Sequence, residues 1–211
     1  MPLSTLFVYW ADLTAEHRSG TDLTHLSLPV RAYRTAHARH LSMLSKWLLH
    51  HALHHHPPHP DAPLAGLRYH LNGKPYLPNS SYAFSLSHSG QLAACALASR
   101  GTVGIDIQKR VHLRPGVEGL FLSVAEQECL AGEDVLDVLA LWSQKEAAYK
   151  ALGHELNARL TDFRFEQIQQ LRCRDMTVQL VALPIQPGYI GYVAYEAGSG
   201  NDGITVQLEY L

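Results

Sequence analysis

The spacing of apolar residues constrains the fold more than any other feature. In both halves of the chain, some segments have the alternating spacing of strands and others have the three- and four-residue spacing of helices. Residues 103–108 alternate as in a strand with one buried face. Residues 31–53 and 136–152 have the three- and four-residue apolar spacing of helices. Ser123 and Glu126 have the spacing of a capping box, which predicts the start of a short helix. Further strands are predicted at residues 1–10, 82–86, 163–165, 177–183, 189–195 and 204–210. The sequence therefore predicts a mixed α/β (α+β) fold.

The two halves of the chain have similar contents, since each holds one substantial helix and several strands. Prolines in residues 56–63 end the first helix, because proline lacks the amide hydrogen and clashes with the preceding turn. A glycine-rich run at residues 198–203 predicts a hairpin turn between the last two strands. We expect two similar subdomains, residues 1–101 and residues 102–211.

The overall composition excludes some classes of partner. With 46% hydrophobic and 17% charged residues, the 211-residue chain has the composition of a folded protein. Its net charge of -2 argues against a general nucleic-acid binder. No apolar stretch has the length of a membrane span, and residues 1–10 lack a basic start before a long apolar run, so neither membrane insertion nor export is expected. The 3 cysteines are far apart and fit reduced thiols, as in a cytoplasmic protein.

A small set of polar residues could carry chemistry. Asp106 and Gln108 point the same way from one predicted strand, and Glu146 and Lys150 lie four residues apart on one helix. The carboxylates of Asp106 and Glu146 are hard ligands that suit Mg²⁺, with substrate phosphate completing the site. Lys150 and His88, which lies at a predicted turn, would neutralise other phosphate oxygens, as phosphoryl transfer requires. Spacing alone favours an alternative, an exposed helix ion pair between Glu146 and Lys150 that contributes about 0.3–0.5 kcal/mol.

Several short motifs, read together and in order, resemble the signatures of the 4'-phosphopantetheinyl transferases, most closely the longer, surfactin-synthetase-activating type. They are Arg-His-Leu at 39–41, Asn-Gly-Lys-Pro at 72–75, Phe-Ser-Leu-Ser-His-Ser-Gly at 84–90, Val-Gly-Ile-Asp-Ile at 103–107 and Trp-Ser-Gln-Lys-Glu-Ala-Ala-Tyr-Lys-Ala at 142–151. Each motif is short, but their common order is hard to attribute to chance. The resemblance implies two similar halves packed as an intramolecular pseudo-dimer, with coenzyme A in the cleft between them.

The same resemblance implies an activity. The 4'-phosphopantetheine arm of coenzyme A would pass to a serine of an apo acyl or peptidyl carrier protein, releasing 3',5'-ADP. Asp106 and Glu146 would hold Mg²⁺, with Mn²⁺ as an alternative, and Glu146 would also act as general base. Lys150 would stabilise the departing nucleotide. The residues implied to bind coenzyme A are Arg39, Lys74, Pro75, Ser87, His88, Asp106 and Lys150. Two halves in one chain would make a monomer sufficient.

Gln108 departs from the family pattern, in which many members carry a glutamate two residues after the strand aspartate. A glutamine can offer a neutral oxygen to the metal, directly or through water, but it removes one negative charge. We therefore expect weaker metal binding than with glutamate at this position. The departure also leaves open a catalytically silent protein that binds coenzyme A or a carrier.

Two further groups of residues need an interpretation. His50, His51, His54 and His55 have the four-residue spacing of metal pairs, which leaves a histidine-rich metal-handling protein as a third hypothesis. Without carboxylate or cysteine partners nearby, we favour a solvated helix end. Another group of residues could either steer an acidic carrier protein or be solvated surface charges without such a role: Arg31, Arg34, Lys109, Arg110 and Arg114.

Overall fold

The chain divides into two compact units. The computed structural model describes residues 5–13, 33–56, 64–71, 73–78, 80–114, 116–129, 135–167, 169–196 and 205–211. Met1–Gly101 together with Gly200–Leu211 make up the first unit, and Thr102–Ser199 make up the second. Both units combine helices with β-sheet, so the predicted mixed α+β class is confirmed.

The first unit is built on a four-stranded sheet and one long helix. The sheet has the strand order β11-β1-β5-β4, in which β11 is parallel to β1 and the other neighbours are antiparallel. Its strands are β1 (Thr5–Asp12), β4 (Ala83–Ser89), β5 (Leu92–Ala98) and β11 (Thr205–Tyr210), and a separate ribbon pairs β2 (Arg68–Tyr69) with β3 (Pro75–Tyr76). Helix α1 (Ala36–His55) begins at Thr35, whose side chain accepts a hydrogen bond from the amide of Ala38. Leu44, Leu48 and Leu49 of α1 join the core above the sheet.

The last strand corrects the predicted hairpin. The glycine-rich run predicts a closing hairpin, but β11 pairs with β1 from Thr5↔Thr205 to Trp10↔Tyr210. Strand β10 (Tyr189–Glu196) has no free edge for β11, because it pairs on one side with β6 (Val103–Lys109) and on the other with β9 (Met176–Ala182). A glycine-rich connection is a local signal and does not reveal that competition. The expected subdomain of residues 102–211 therefore differs from the second unit in this strand, which belongs to the first unit.

The second unit is an antiparallel five-stranded sheet with a helix packed against it. Strands β7 (Arg164–Gln167) and β8 (Gln170–Cys173) complete this sheet, whose strand order is β6-β10-β9-β8-β7. Helix α2 (Val124–Cys129) begins with the predicted capping box, since Ser123 and Glu126 exchange hydrogen bonds. Helix α3 (Val135–Ala148) packs on β6 and β10 and continues into a π-helical turn, Tyr149–Gly153.

Strand β6 is more buried than its alternating sequence predicts. Every residue from Val103 to Ile107 is buried, whereas one buried face was expected. The face that carries Gly104 and Asp106 is covered because α3 packs against it. Of the helices in the described part of the chain, none combines the length and the apolar character needed to cross a membrane.

Candidate active site

A close approach between β6 and the end of α3 sets the geometry of the site. A Cβ atom added at Gly104 would lie 2.0 Å from the carbonyl oxygen of Ala147 and 2.5 Å from the amide nitrogen of Ala151. Any side chain at this position would therefore push the helix away from the strand. Because residues two apart on a strand share a face, Asp106 is presented to the same helix end.

The helix end departs from regular α geometry at the position of Lys150. Residues Tyr149–Gly153 form a π-helical turn, a rare conformation that is frequent at functional sites. The ring of Tyr149 packs on Gly153, where an added Cβ would lie 2.4 Å from Cδ2. Within this turn Lys150 extends to the strand, and its Nζ lies 2.7 Å from Oδ1 of Asp106.

Asp106 is the buried centre of this group, at 2% exposure. Lys150 donates to its Oδ1, and Nε2 of Gln108 donates to its Oδ2 at 2.9 Å. The contact between Gln108 and Asp106 agrees with the strand alternation, which puts both side chains on one side. Ser143 Oγ of α3 donates to the backbone oxygen of Asp106 at 3.3 Å. The ion pair of Lys150 with Asp106 argues against the interpretation of Lys150 as part of an exposed helix pair alone.

Glu146 is close enough to this group for the charges to interact. Its side chain is half-buried on α3. Burial raises the pKa of the Glu146 carboxyl, the charge of Lys150 lowers it and the charge of Asp106 raises it. The net direction is upward. Glu146 can therefore take up a proton more readily than an exposed glutamate.

Lys145, the residue before Glu146, has a structural environment. It is 0% exposed, and its Nζ donates to Glu126 Oε2 at 2.6 Å and to the backbone oxygen of Phe121 at 2.9 Å. Burial lowers the pKa of Lys145, and the hydrogen bond to Glu126 opposes that shift. This ion pair holds the start of α2 against α3. Sequence reasoning assigned no role to it.

The predicted coenzyme A residues of the first unit lie on several elements. Strand β4 continues through Ser89, so the predicted turn at His88 is wrong. The strand includes His88 because this residue pairs with Ala93 of β5. Pro75 and His88 line a cavity of about 330 Å³. The structure places the other predicted residues as follows: Ser87 is buried in β4, Lys74 is half-buried just before β3, and Arg39 is exposed on α1.

Lys46 is a residue that the sequence analysis missed. It lies on α1, is only 4% exposed and lines the same cavity as His88. The signal available in the sequence is a lysine between Leu44 and Leu48, inside the apolar pattern of the helix. Only the fold shows that this position faces a cavity and not solvent.

The histidines at the end of α1 are only partly solvated. His51 and His56 are half-buried, and the ring of His56 stacks on Phe7 with centroids 3.5 Å apart. The other three, His50, His54 and His55, are exposed as predicted. The described ranges contain no group of three or more His, Cys, Asp or Glu side chains that could hold a metal ion.

Comparison with known proteins bears on the second unit. The model of the 4'-phosphopantetheinyl transferase superfamily matches residues 102–194. No curated protein matches the chain significantly. The matched residues include Asp106, Glu146 and Lys150, so the group described above lies inside the match. Residues 102–194 are therefore similar to the 4'-phosphopantetheinyl transferase superfamily.

Proposed function

We propose that the protein transfers 4'-phosphopantetheine from coenzyme A to a serine of an apo acyl or peptidyl carrier protein and releases 3',5'-ADP. The observation that carries this proposal is the grouping of Asp106, Glu146 and Lys150 inside the residues that match the superfamily. Charge stabilisation and positioning are what phosphoryl-type transfer demands of a protein. This group offers both.

The transfer needs a base and a partner for the leaving group. The carrier serine oxygen would form a bond to the phosphorus that bears pantetheine, while the bond from that phosphorus to the bridging oxygen of 3',5'-ADP breaks. Glu146 would accept the serine proton, and the raised pKa of its carboxyl makes it a stronger base than an exposed glutamate. Lys150 would stabilise the negative charge that develops on the departing nucleotide.

The residues present fit a hard divalent cation. Asp106 and Glu146 supply two carboxylates, and the charge of Asp106 raises the pKa of Glu146, a repulsion that a cation would relieve. Gln108 would add a neutral amide oxygen, directly or through water. Mg²⁺ bound there, or Mn²⁺ with the same oxygen ligands, would neutralise charge on the diphosphate of coenzyme A.

Other parts of the proposal rest on the resemblance. The pairing of two similar halves as a pseudo-dimer, with coenzyme A between them, stays a prediction, as does a monomeric state. The coenzyme A contacts proposed for the first unit are Arg39, Lys74, Pro75, Ser87 and His88. Arg34, Lys109, Arg110 and Arg114 are exposed, which suits steering of an acidic carrier, whereas Arg31 lies outside the described residues.

A silent binding protein is the second candidate, and one observation favours it. Both side-chain oxygens of Asp106 already accept hydrogen bonds, from Lys150 and Gln108, and Gln108 brings no charge of its own. Such a protein would keep coenzyme A or carrier binding without turnover.

Incubation with coenzyme A, Mg²⁺ and a panel of apo carriers separates the two candidates. We expect at least one carrier to gain the mass of one phosphopantetheine, with 3',5'-ADP released in equal amount and the reaction abolished by a chelator. Intact-protein mass spectrometry and nucleotide chromatography measure the two products. Bound coenzyme A without a mass gain on any carrier would support the silent protein.

A further inference from the structure

The π-helical turn at the end of α3 lies where the helix meets strand β6. Residues Tyr149–Gly153 form this turn, directly after the α-helical segment that carries Glu146. Its backbone hydrogen bonds join residue i to residue i+5, whereas those of an α-helix join residue i to residue i+4, so the turn holds one more residue. The residues of the turn therefore leave the directions that a continuing α-helix would give them. Lys150 is one of these residues.

The ammonium group of Lys150 reaches across to strand β6. Four-residue spacing on a regular α-helix makes Lys150 a neighbour of Glu146 on α3. In the structure its Nζ lies 2.7 Å from Oδ1 of Asp106, and its side chain is 26% exposed. This contact requires the side chain to lie over β6. The widened turn coincides with the residue that makes the contact.

One aromatic side chain connects the first and last residues of the turn. The ring of Tyr149 packs on the backbone of Gly153, where an added Cβ would lie 2.4 Å from Cδ2 and 2.6 Å from Cε2. The same ring meets the ring of Phe163 edge-on, with centroids 6.4 Å apart and planes at 77°. Phe163 is 0% exposed and so gives Tyr149 a fixed surface. A side chain at residue 153 would displace the ring from this surface.

We propose that Tyr149 and Gly153 are positioning residues, whose contact fixes the π-helical turn and thereby directs Nζ of Lys150 to Asp106. A π-helical turn is rare, so one that persists needs contacts that hold it, and these two residues supply them. Both act through Lys150. The consequence for catalysis rests on the proposed function, in which Lys150 stabilises the departing nucleotide.

Amine labelling followed by peptide mass spectrometry tests the positioning without any catalysis. In the wild type, partial burial and the hydrogen bond to Asp106 shield Lys150, which is expected to label more slowly than the exposed Lys109. Tyr149→Ala removes the ring and is expected to raise the labelling rate of Lys150 toward that of Lys109. Tyr149→Phe keeps the ring and is expected to label like the wild type. Tyr195→Ala, the same truncation of a half-buried tyrosine on β10, is the matched control and is expected to leave Lys150 shielded.

A second variant guards against a failure to fold. Gly153→Ala pushes the ring of Tyr149 aside without removing it, and it is expected to raise the labelling of Lys150 in the same direction. Thermal unfolding of each variant identifies those that fold.

The rate of carrier modification gives a further readout. Tyr149→Ala is expected to lower kcat roughly 10- to 100-fold, because a small displacement of a reacting group costs rate, and Tyr149→Phe is expected to keep the wild-type rate. In a Lys150→Met background, Tyr149→Ala is expected to cause no further loss, since a residue that acts through Lys150 has no effect without it.

The outcomes separate this inference from the proposed function. Unchanged labelling of Lys150 in Tyr149→Ala and Gly153→Ala overturns the inference, whether or not a carrier is modified. Equal exposure of Lys150 in the Tyr195→Ala control overturns it as well, because general loosening would then explain the effect. Equal slowing of transfer by Tyr149→Ala with and without Lys150 means that Tyr149 acts on the fold alone. Labelling that rises as expected while the wild type modifies no carrier supports the inference and contradicts the transferase proposal.

Discussion

Two buried lysines, one in each unit, have opposite surroundings. Lys145 in the second unit is 0% exposed and pairs with Glu126 at 2.6 Å. Lys46 in the first unit is 4% exposed and donates to the neutral hydroxyl of Tyr33. Within the part of the chain that the structure describes, the charge of Lys145 is therefore balanced, whereas that of Lys46 is not.

This difference distinguishes a buried cation with a charged partner from one without a charged partner among the described residues. A buried ion pair with good geometry holds two elements in place, and removing one partner leaves the other charge uncompensated. A buried cation without a carboxylate stabilises little by itself. Asp106 and Lys150 resemble the first kind in their short contact, yet Glu146 beside them has a raised pKa and so remains available for chemistry.

Replacing each lysine by methionine tests most strongly whether the two lysines contribute differently to stability. Lys145→Met leaves Glu126 without a cation beside it and is expected to lower the free energy of unfolding by about 3–5 kcal/mol. Lys46→Met leaves no charge behind and is expected to change it by less than about 1 kcal/mol. Urea unfolding measures both. Equal losses would mean that the fold itself satisfies the charge of Lys46.

The paired region depends on the contact at Gly104. Gly104→Ala would bring a methyl group against the backbone of Ala147 and Ala151, and overpacking of this kind costs about 1–3 kcal/mol or more. Loss of the contact should also weaken the ion pair between Asp106 and Lys150 that it positions. Thermal unfolding together with the transfer assay reports both effects.

Gly119→Ala is the matched control for this substitution, because no described atom lies within 4 Å of its added Cβ. It is expected to unfold at the temperature of the wild type. A Gly104→Ala protein as stable as this control would show that α3 can move away from β6 without cost.

The smallest expected effect is on metal affinity at Gln108. Gln108→Glu would replace the amide that donates to Asp106 with a third carboxylate, and we expect roughly tenfold tighter Mg²⁺ binding. Calorimetric titration of both proteins with Mg²⁺ measures the change. Tighter binding by the wild type would contradict the view that Gln108 weakens the site.

The sequence predicted those parts of the structure that depend on local periodicity. The strand around Asp106 and the helix carrying Glu146 follow from the spacing of apolar residues, and period-two alternation correctly put Asp106 and Gln108 on one side. Strand β8 was missed because Gln170–Cys173 is short and alternates too briefly to give a signal.

What sequence could not predict depends on contacts between distant segments. The partner of β11 depends on which strand edges are free to pair. The role of Gly104 depends on how closely the end of α3 approaches β6. Lys46 is recognised only once the cavity beside it is known. The residues that carry the proposed chemistry stand out only through their resemblance to family motifs, since their spacing alone favours a simple ion pair.

The rate of carrier modification by Glu146→Gln tests the central claim most directly. This variant keeps the size of the side chain but cannot accept the serine proton, so we expect the rate to fall about 10²–10⁴-fold, while coenzyme A still binds. Glu155→Gln, an exposed carboxyl shortly after the π-helical turn, is expected to react like the wild type. A Glu146→Gln enzyme that modifies the carrier as fast as this control would contradict the account.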